Sequence, residues 1–98
     1  MAILDDVKVA LRIAATTTDF DTEIQDLINA AIEDLKMAGV ATDKAVDTDP
    51  LIKRAITVYC KSHFGYDNPD ASWFWRSYES LKMHLTLSAD YNTEAVST

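Results

Sequence analysis

Few residues in this chain have side chains suited to covalent or metal chemistry. Cys60 supplies the one thiol, and His63 and His84 the two imidazoles, in 98 residues. Cys60 and His63 stand three apart, a spacing that on a helix brings two metal ligands together, but the rest of a site would have to come from distant carboxylates. His63 also falls in the middle of an apolar arc, which predicts a packed core histidine. Asp5-Asp6 imitates a carboxylate pair, yet acids in a first helical turn commonly answer the helix dipole. The chain has no Gly-rich phosphate loop, no nucleophile elbow and no His-Glu-x-x-His. The expectation is no catalytic residue, no metal and no cofactor, in a protein that is not an enzyme.

Two other features say more. Trp73-Phe74-Trp75 are consecutive, and three consecutive helical residues span about 200°, so they cannot all face one core. With Phe74 inward, Trp75 flanks the core and Trp73 lies about 120° from its centre. Ser77, Ser80 and His84 run beside Trp73 at helical spacing. Tryptophan is enriched at interface hot spots, which makes Trp73 and Trp75 candidates for contact with another chain. Alternatively, the first helix or a Thr-rich connector covers Trp73 within the subunit.

The second feature is charge separation. Residues 19–38 hold six acids against Lys36, a formal −5, whereas residues 50–66 hold Lys53, Arg54 and Lys61 with no acid, a formal +3. Glu23, Asp26 and Glu33 on one side and Lys53, Arg54 and Lys61 on the other complete the interface candidates. These groups pair within a monomer, or meet head-to-tail between copies, a heterologous contact that closes into a ring when repeated. A basic face directed at DNA is a third option, though three cations give a weak electrostatic footprint.

Positioning these residues falls to helices. Two Gly and two Pro, 48% hydrophobic and 26% charged residues fit a folded all-α domain and not a disordered chain. The net charge of −7 argues against a protein whose main work is gripping nucleic acid. A single cysteine forbids an internal disulfide and suits a reducing cytoplasm. The N-terminus reads as neither signal peptide nor anchor, and no run approaches the roughly 20 apolar residues that span a bilayer.

Apolar spacing predicts a bundle of four helices within one domain over 1–88, with a flexible tail over 89–98. The first helix covers Asp5 to Ile13, with Asp5 as N-cap and Val7, Ala10 and Leu11 inward. The second covers Asp19 to Met37, between a Thr18/Asp21 capping box and a Gly39 cap. Phe20, Ile24, Leu27, Ile28, Ala31 and Leu35 share its inner arc, and Glu23, Asp26 and Glu33 its outer face. A polar, flexible loop follows over 40–49. Asp49-Pro50 starts the third helix, which runs to Phe64 with Gly65 as its stop. Its wide apolar arc (Leu51, Ile52, Ala55, Ile56, Val58, Tyr59 and Cys60) marks the centre of the bundle. A turn over 66–70 leads to the fourth helix, Pro69 to Leu87, buried along Phe74, Tyr78, Leu81 and Leu85.

Three stretches resemble the head–tail connector (adaptor, or head-completion) proteins of long-tailed bacteriophages. They are Leu4-Asp5-Asp6-Val7-Lys8-Val9-Ala10-Leu11-Arg12-Ile13, Thr22-Glu23-Ile24-Gln25-Asp26-Leu27-Ile28-Asn29-Ala30-Ala31, and the run opening Asp49-Pro50-Leu51-Ile52-Lys53-Arg54-Ala55-Ile56. That run continues through Phe64-Gly65-Tyr66-Asp67-Asn68-Pro69 to Ser77-Tyr78-Glu79-Ser80-Leu81-Lys82. The likeness omits only the 40–48 loop and the tail, and it lies in caps and core positions.

The resemblance implies a structural virion protein without enzymatic activity. Such proteins form a ring, expected to be dodecameric, under the portal protein, and present the site for a tail or stopper protein. DNA passes through the channel without sequence-specific binding, and no membrane is involved. The implied location is the head–tail interface of the virion, after synthesis in the bacterial cytoplasm. The alternative is a small DNA-binding regulator of helix-turn-helix type, opposed by the acidic balance and the missing basic recognition face.

Overall fold

The computed structural model describes residues 3–14, 16–46, 48–64, 68–88 and 91. Four helices appear, in the expected order: α1 (Ile3–Ala10), α2 (Asp21–Ala38), α3 (Pro50–His63) and α4 (Ala71–Leu87).

The start of α3 is written in two residues. The Asp49 carboxylate accepts from the backbone N–H groups of Leu51 (2.9 Å) and Ile52 (3.2 Å), and Pro50 occupies a position where no N–H is needed. As its wide arc predicts, α3 is central: α1, α2 and α4 all pack on it, burying Ile52, Ala55, Ile56, Val58 and Cys60. Leu51 departs from the prediction and is exposed. It stands at the arc's edge, about 140° round from Ile56, one turn into the helix. Val58 occupies that same edge further along, where Phe74 and Leu81 of α4 come over it.

α2 is one-sided, with Ile24, Ile28, Ala31 and Leu35 buried and Glu23, Asp26 and Glu33 exposed. It starts two residues later than the capping-box reading. Phe20 stands at the N-cap without a side-chain cap, exposed, its ring edge-on to Phe64 at 5.5 Å. The Asp21 carboxylate is turned to Lys8 of α1 instead (2.8 Å). The far end follows expectation. Gly39 adopts φ 122°, a conformation costly for any residue with a Cβ, and Val40 N–H reaches the Leu35 carbonyl at 3.0 Å.

α1 begins at Ile3, so Asp5 lies inside the helix and does not cap it. Its exit uses the same device as Gly39, but with Arg12 at φ 63°. Arg12 N–H bonds the Val9 carbonyl and Ile13 N–H the Lys8 carbonyl, at a cost of about 1 kcal/mol for a non-glycine residue. α4 begins at Ala71, two residues past Pro69. Asn68 ties the preceding helix to it: its amide donates to the Lys61 carbonyl (2.7 Å) and its side-chain oxygen accepts from Asp70 N–H (3.1 Å).

The loop between α2 and α3 is polar outward but tucks Val40, Ala41 and Ala45 into the core. Ala41 N–H donates to the Tyr91 carbonyl at 2.7 Å, and the Tyr91 hydroxyl reaches the Asp49 carboxylate at 3.1 Å. The Gly65 stop, the Tyr66-Asp67 part of the turn and the rest of the 89–98 tail lie outside the described residues. The molecule is 17 Å in its thinnest direction, room for two helix layers at 8–10 Å spacing, so each helix keeps a face to solvent.

Candidate assembly surface

α3 and α4 run antiparallel and leave a groove of about 570 Å³ between them. Its floor is Val58, Phe74 and Leu81, with the small Thr57, Ser77 and Ser80 between, and its rim carries Lys53, Arg54 and Lys61. No acid lines it. Trp73 closes one end, largely exposed and edge-on to Phe74 at 5.5 Å. The Lys61 ammonium sits 5.1 Å from the centre of the Phe74 ring, and Lys53 reaches Asp6 of α1 at 3.1 Å. Arg54 is exposed, with no ion pair among the described residues.

Four of the sequence candidates, Lys53, Arg54, Lys61 and Trp73, are thus brought to one site. Trp75 is not among them. It lies on the other flank of α4, in a cluster with Tyr59 (6.1 Å), His63 (5.3 Å) and Tyr78 (5.5 Å). Glu23, Asp26 and Glu33 stay on the outer face of α2, where Glu33 meets its own-helix neighbour Lys36 at 3.4 Å. Pairing of α2 acids with α3 cations inside the subunit does not occur among the described residues. Nor does α1 cover Trp73, because α1 packs on α2 and α3 and not on α4.

His63 is exposed, correcting the expectation of a core histidine. It occupies the last turn of α3, one turn beyond Tyr59, and lies tilted against that ring with centroids 4.4 Å apart at the edge of the bundle. Cys60 is fully buried, and desolvation pushes its thiol up to about 12. The two do not make a ligand pair, and no metal-binding group of three or more His, Cys, Asp or Glu forms among the described residues.

A polar network escaped the sequence reading. Asp34 of α2 accepts from the Tyr78 hydroxyl at 2.6 Å and from Lys82 at 3.1 Å, and Lys82 also meets Glu79 at 2.7 Å. A buried tyrosine advertises that its hydroxyl needs a partner, but which acid, 44 positions away, depends on how α2 and α4 cross. Burial pushes the Asp34 carboxyl upward, yet the bonds from Tyr78 and Lys82 outweigh it and hold the carboxyl below the ordinary 3.8. A depressed folded value adds stability that is present above the unfolded value and lost as pH falls through the folded one. We therefore expect thermal scans below pH 4 to show a shallower loss of Tm for Asp34→Asn than for the wild type. Equal slopes would remove Asp34 from the acid response.

The model for a family described as phage connector protein matches residues 3–92, across all four helices. The chain belongs to the phage connector protein family. Neither a curated protein nor a solved structure matches it. As a phage connector protein the chain has a structural role at the head–tail connection of the virion, in keeping with the sequence resemblance. No helix among its described residues is long and apolar enough to cross a membrane.

Proposed function

We propose that this connector is one subunit of a ring, dodecameric to match the portal, that docks under the portal protein of a DNA-filled head. It offers a site to the tail or to a stopper protein, lets DNA pass without sequence-specific contacts and does no covalent chemistry. Subunits made in the host cytoplasm join head-to-tail, through Glu23, Asp26 and Glu33 of one copy and Lys53, Arg54 and Lys61 of the next, with Trp73 and Trp75 among the contact candidates.

One observation carries the reading. The basic, aromatic groove and the acidic face stand open on separate parts of one protomer, and two complementary patches that cannot meet within a molecule meet between molecules. The helix-turn-helix alternative is weakened by the burial of α3, which leaves only its narrow basic rim for DNA.

Light scattering tests the proposal. Wild-type protein is expected to assemble, with an affinity that falls as salt screens the contact. Lys53→Glu with Arg54→Glu should weaken assembly at least about tenfold, the effect of reversing charges against a like-charged partner. The tryptophan emission of the wild type should shift to the blue as Trp73 leaves water. Undiminished assembly of the double variant, with circular dichroism showing an intact fold, would overturn this interface.

A further inference from the structure

Two helices carry a second stripe, turned away from the core, and the stripes match in length and spacing. On α4, Trp73, Arg76, Ser80, Met83 and Leu87 follow one another at intervals of three and four, all exposed. Trp73, Met83 and Leu87 are 63%, 62% and 75% accessible. At 100° per residue the five fall in an arc of about 80°, opposite buried Tyr78 and Leu85. On α2, Glu23, Asp26, Ala30, Glu33 and Met37 have the same intervals and are also all exposed, Met37 at 86%. Scattered exposed apolar residues need no explanation, but three large ones along a single helix face mark a contact surface. Among the described residues nothing covers them, since α4 meets α3 and α2 with its other faces.

We infer that α2 of one copy lies antiparallel along α4 of the next, with Ala30 against Ser80 and Met37 against Trp73. The inference rests on the ring reading and specifies its contact. Small residues at the midpoint of both stripes let the axes approach closely. The thioether of Met37 then meets the Trp73 indole, a favourable sulfur–aromatic pair, and Glu33 faces Arg76. Asp26 and Glu23 arrive together at the end of the groove that holds Lys53 and Arg54, two acids against two cations. Opposed helix dipoles add to this orientation. A parallel arrangement would instead place Glu23 on the indole and separate the acids from the paired cations.

Cysteine cross-linking decides the matter, because the buried Cys60 thiol does not compete. Each variant chain carries two new cysteines, so a head-to-tail contact gives a ladder of dimers, trimers and longer species on a non-reducing gel. Ala30→Cys with Ser80→Cys is expected to give such a ladder after mild oxidation, and either change alone no ladder. Asp26→Cys with Met83→Cys should cross-link at least tenfold more than Glu33→Cys with Met83→Cys. The reverse preference would overturn the antiparallel orientation. Absence of ladders from all pairs, while the wild type assembles by light scattering, would overturn the contact and leave the ring standing. A wild type that stays monomeric on its own and with DNA-filled, portal-bearing heads would overturn the ring and the contact together.

Discussion

Tyr78→Ala is expected to lower the folding free energy by about 4 kcal/mol, within the range for removing a buried aromatic. Tyr78 is the largest fully buried side chain among the described residues and packs edge-on against Tyr59 with centroids 5.0 Å apart. Its hydroxyl is one of the few links between α4 and α2, through Asp34. A domain of this size has roughly 5–15 kcal/mol in total, so the variant would be close to unfolding at body temperature. Tyr78→Phe keeps the ring and loses only the bond to the carboxylate, for an expected cost of about 2 kcal/mol. Urea titration followed by circular dichroism separates the two. Equal losses would mean that the hydroxyl, and not the packing of the ring, holds α4 in place.

The second large effect is expected at the junction of α1 with α2, and it is asymmetric. Lys8 is the one charged residue buried among those described; its ammonium meets Asp21 at 2.8 Å and donates to the Thr17 carbonyl at 2.7 Å. Asp21→Ala removes the counter-charge while the buried ammonium remains, and should cost about 2–3 kcal/mol, between the exposed and the fully buried cases because Asp21 is half-buried. Lys8→Met with Asp21→Asn removes both charges together and fills the space of the lysine with an apolar chain. It should change stability by less than about 1 kcal/mol. Midpoints from the same titrations give both values. If the methionine variant lost as much as the alanine one, the pair would be a net source of stability and not merely a satisfied buried charge.

How far the molecule was legible can be judged from particular residues. Asp49-Pro50 and Gly39 announced two helix boundaries correctly because each acts on its own backbone, through a side-chain bond, a missing N–H or a permitted φ. Thr18/Asp21 misled because a carboxylate that can cap a helix can also reach a lysine, and Lys8 lies on another element. His63 misled because helical spacing gives the direction of a side chain but not whether a neighbouring helix extends far enough to cover it. The outer stripe from Trp73 to Leu87 passed partly unread, since Met83 and Leu87 look like core residues until α4 is seen to meet α3 and α2 with its other faces.

By itself, then, the order of residues determined four helices, their inner faces, an acidic and a basic surface, and the likeness to phage connectors. These follow from interactions within about four positions, where chain connectivity already brings the groups together. Tertiary structure alone decided that Lys53, Arg54, Lys61 and Trp73 share one groove, that Asp34 receives Tyr78 and Lys82, and that Trp73 remains in water. Each of these depends on which helices cross, and where. That is settled by the packing of whole side-chain surfaces over tens of residues, and no local pattern contains it.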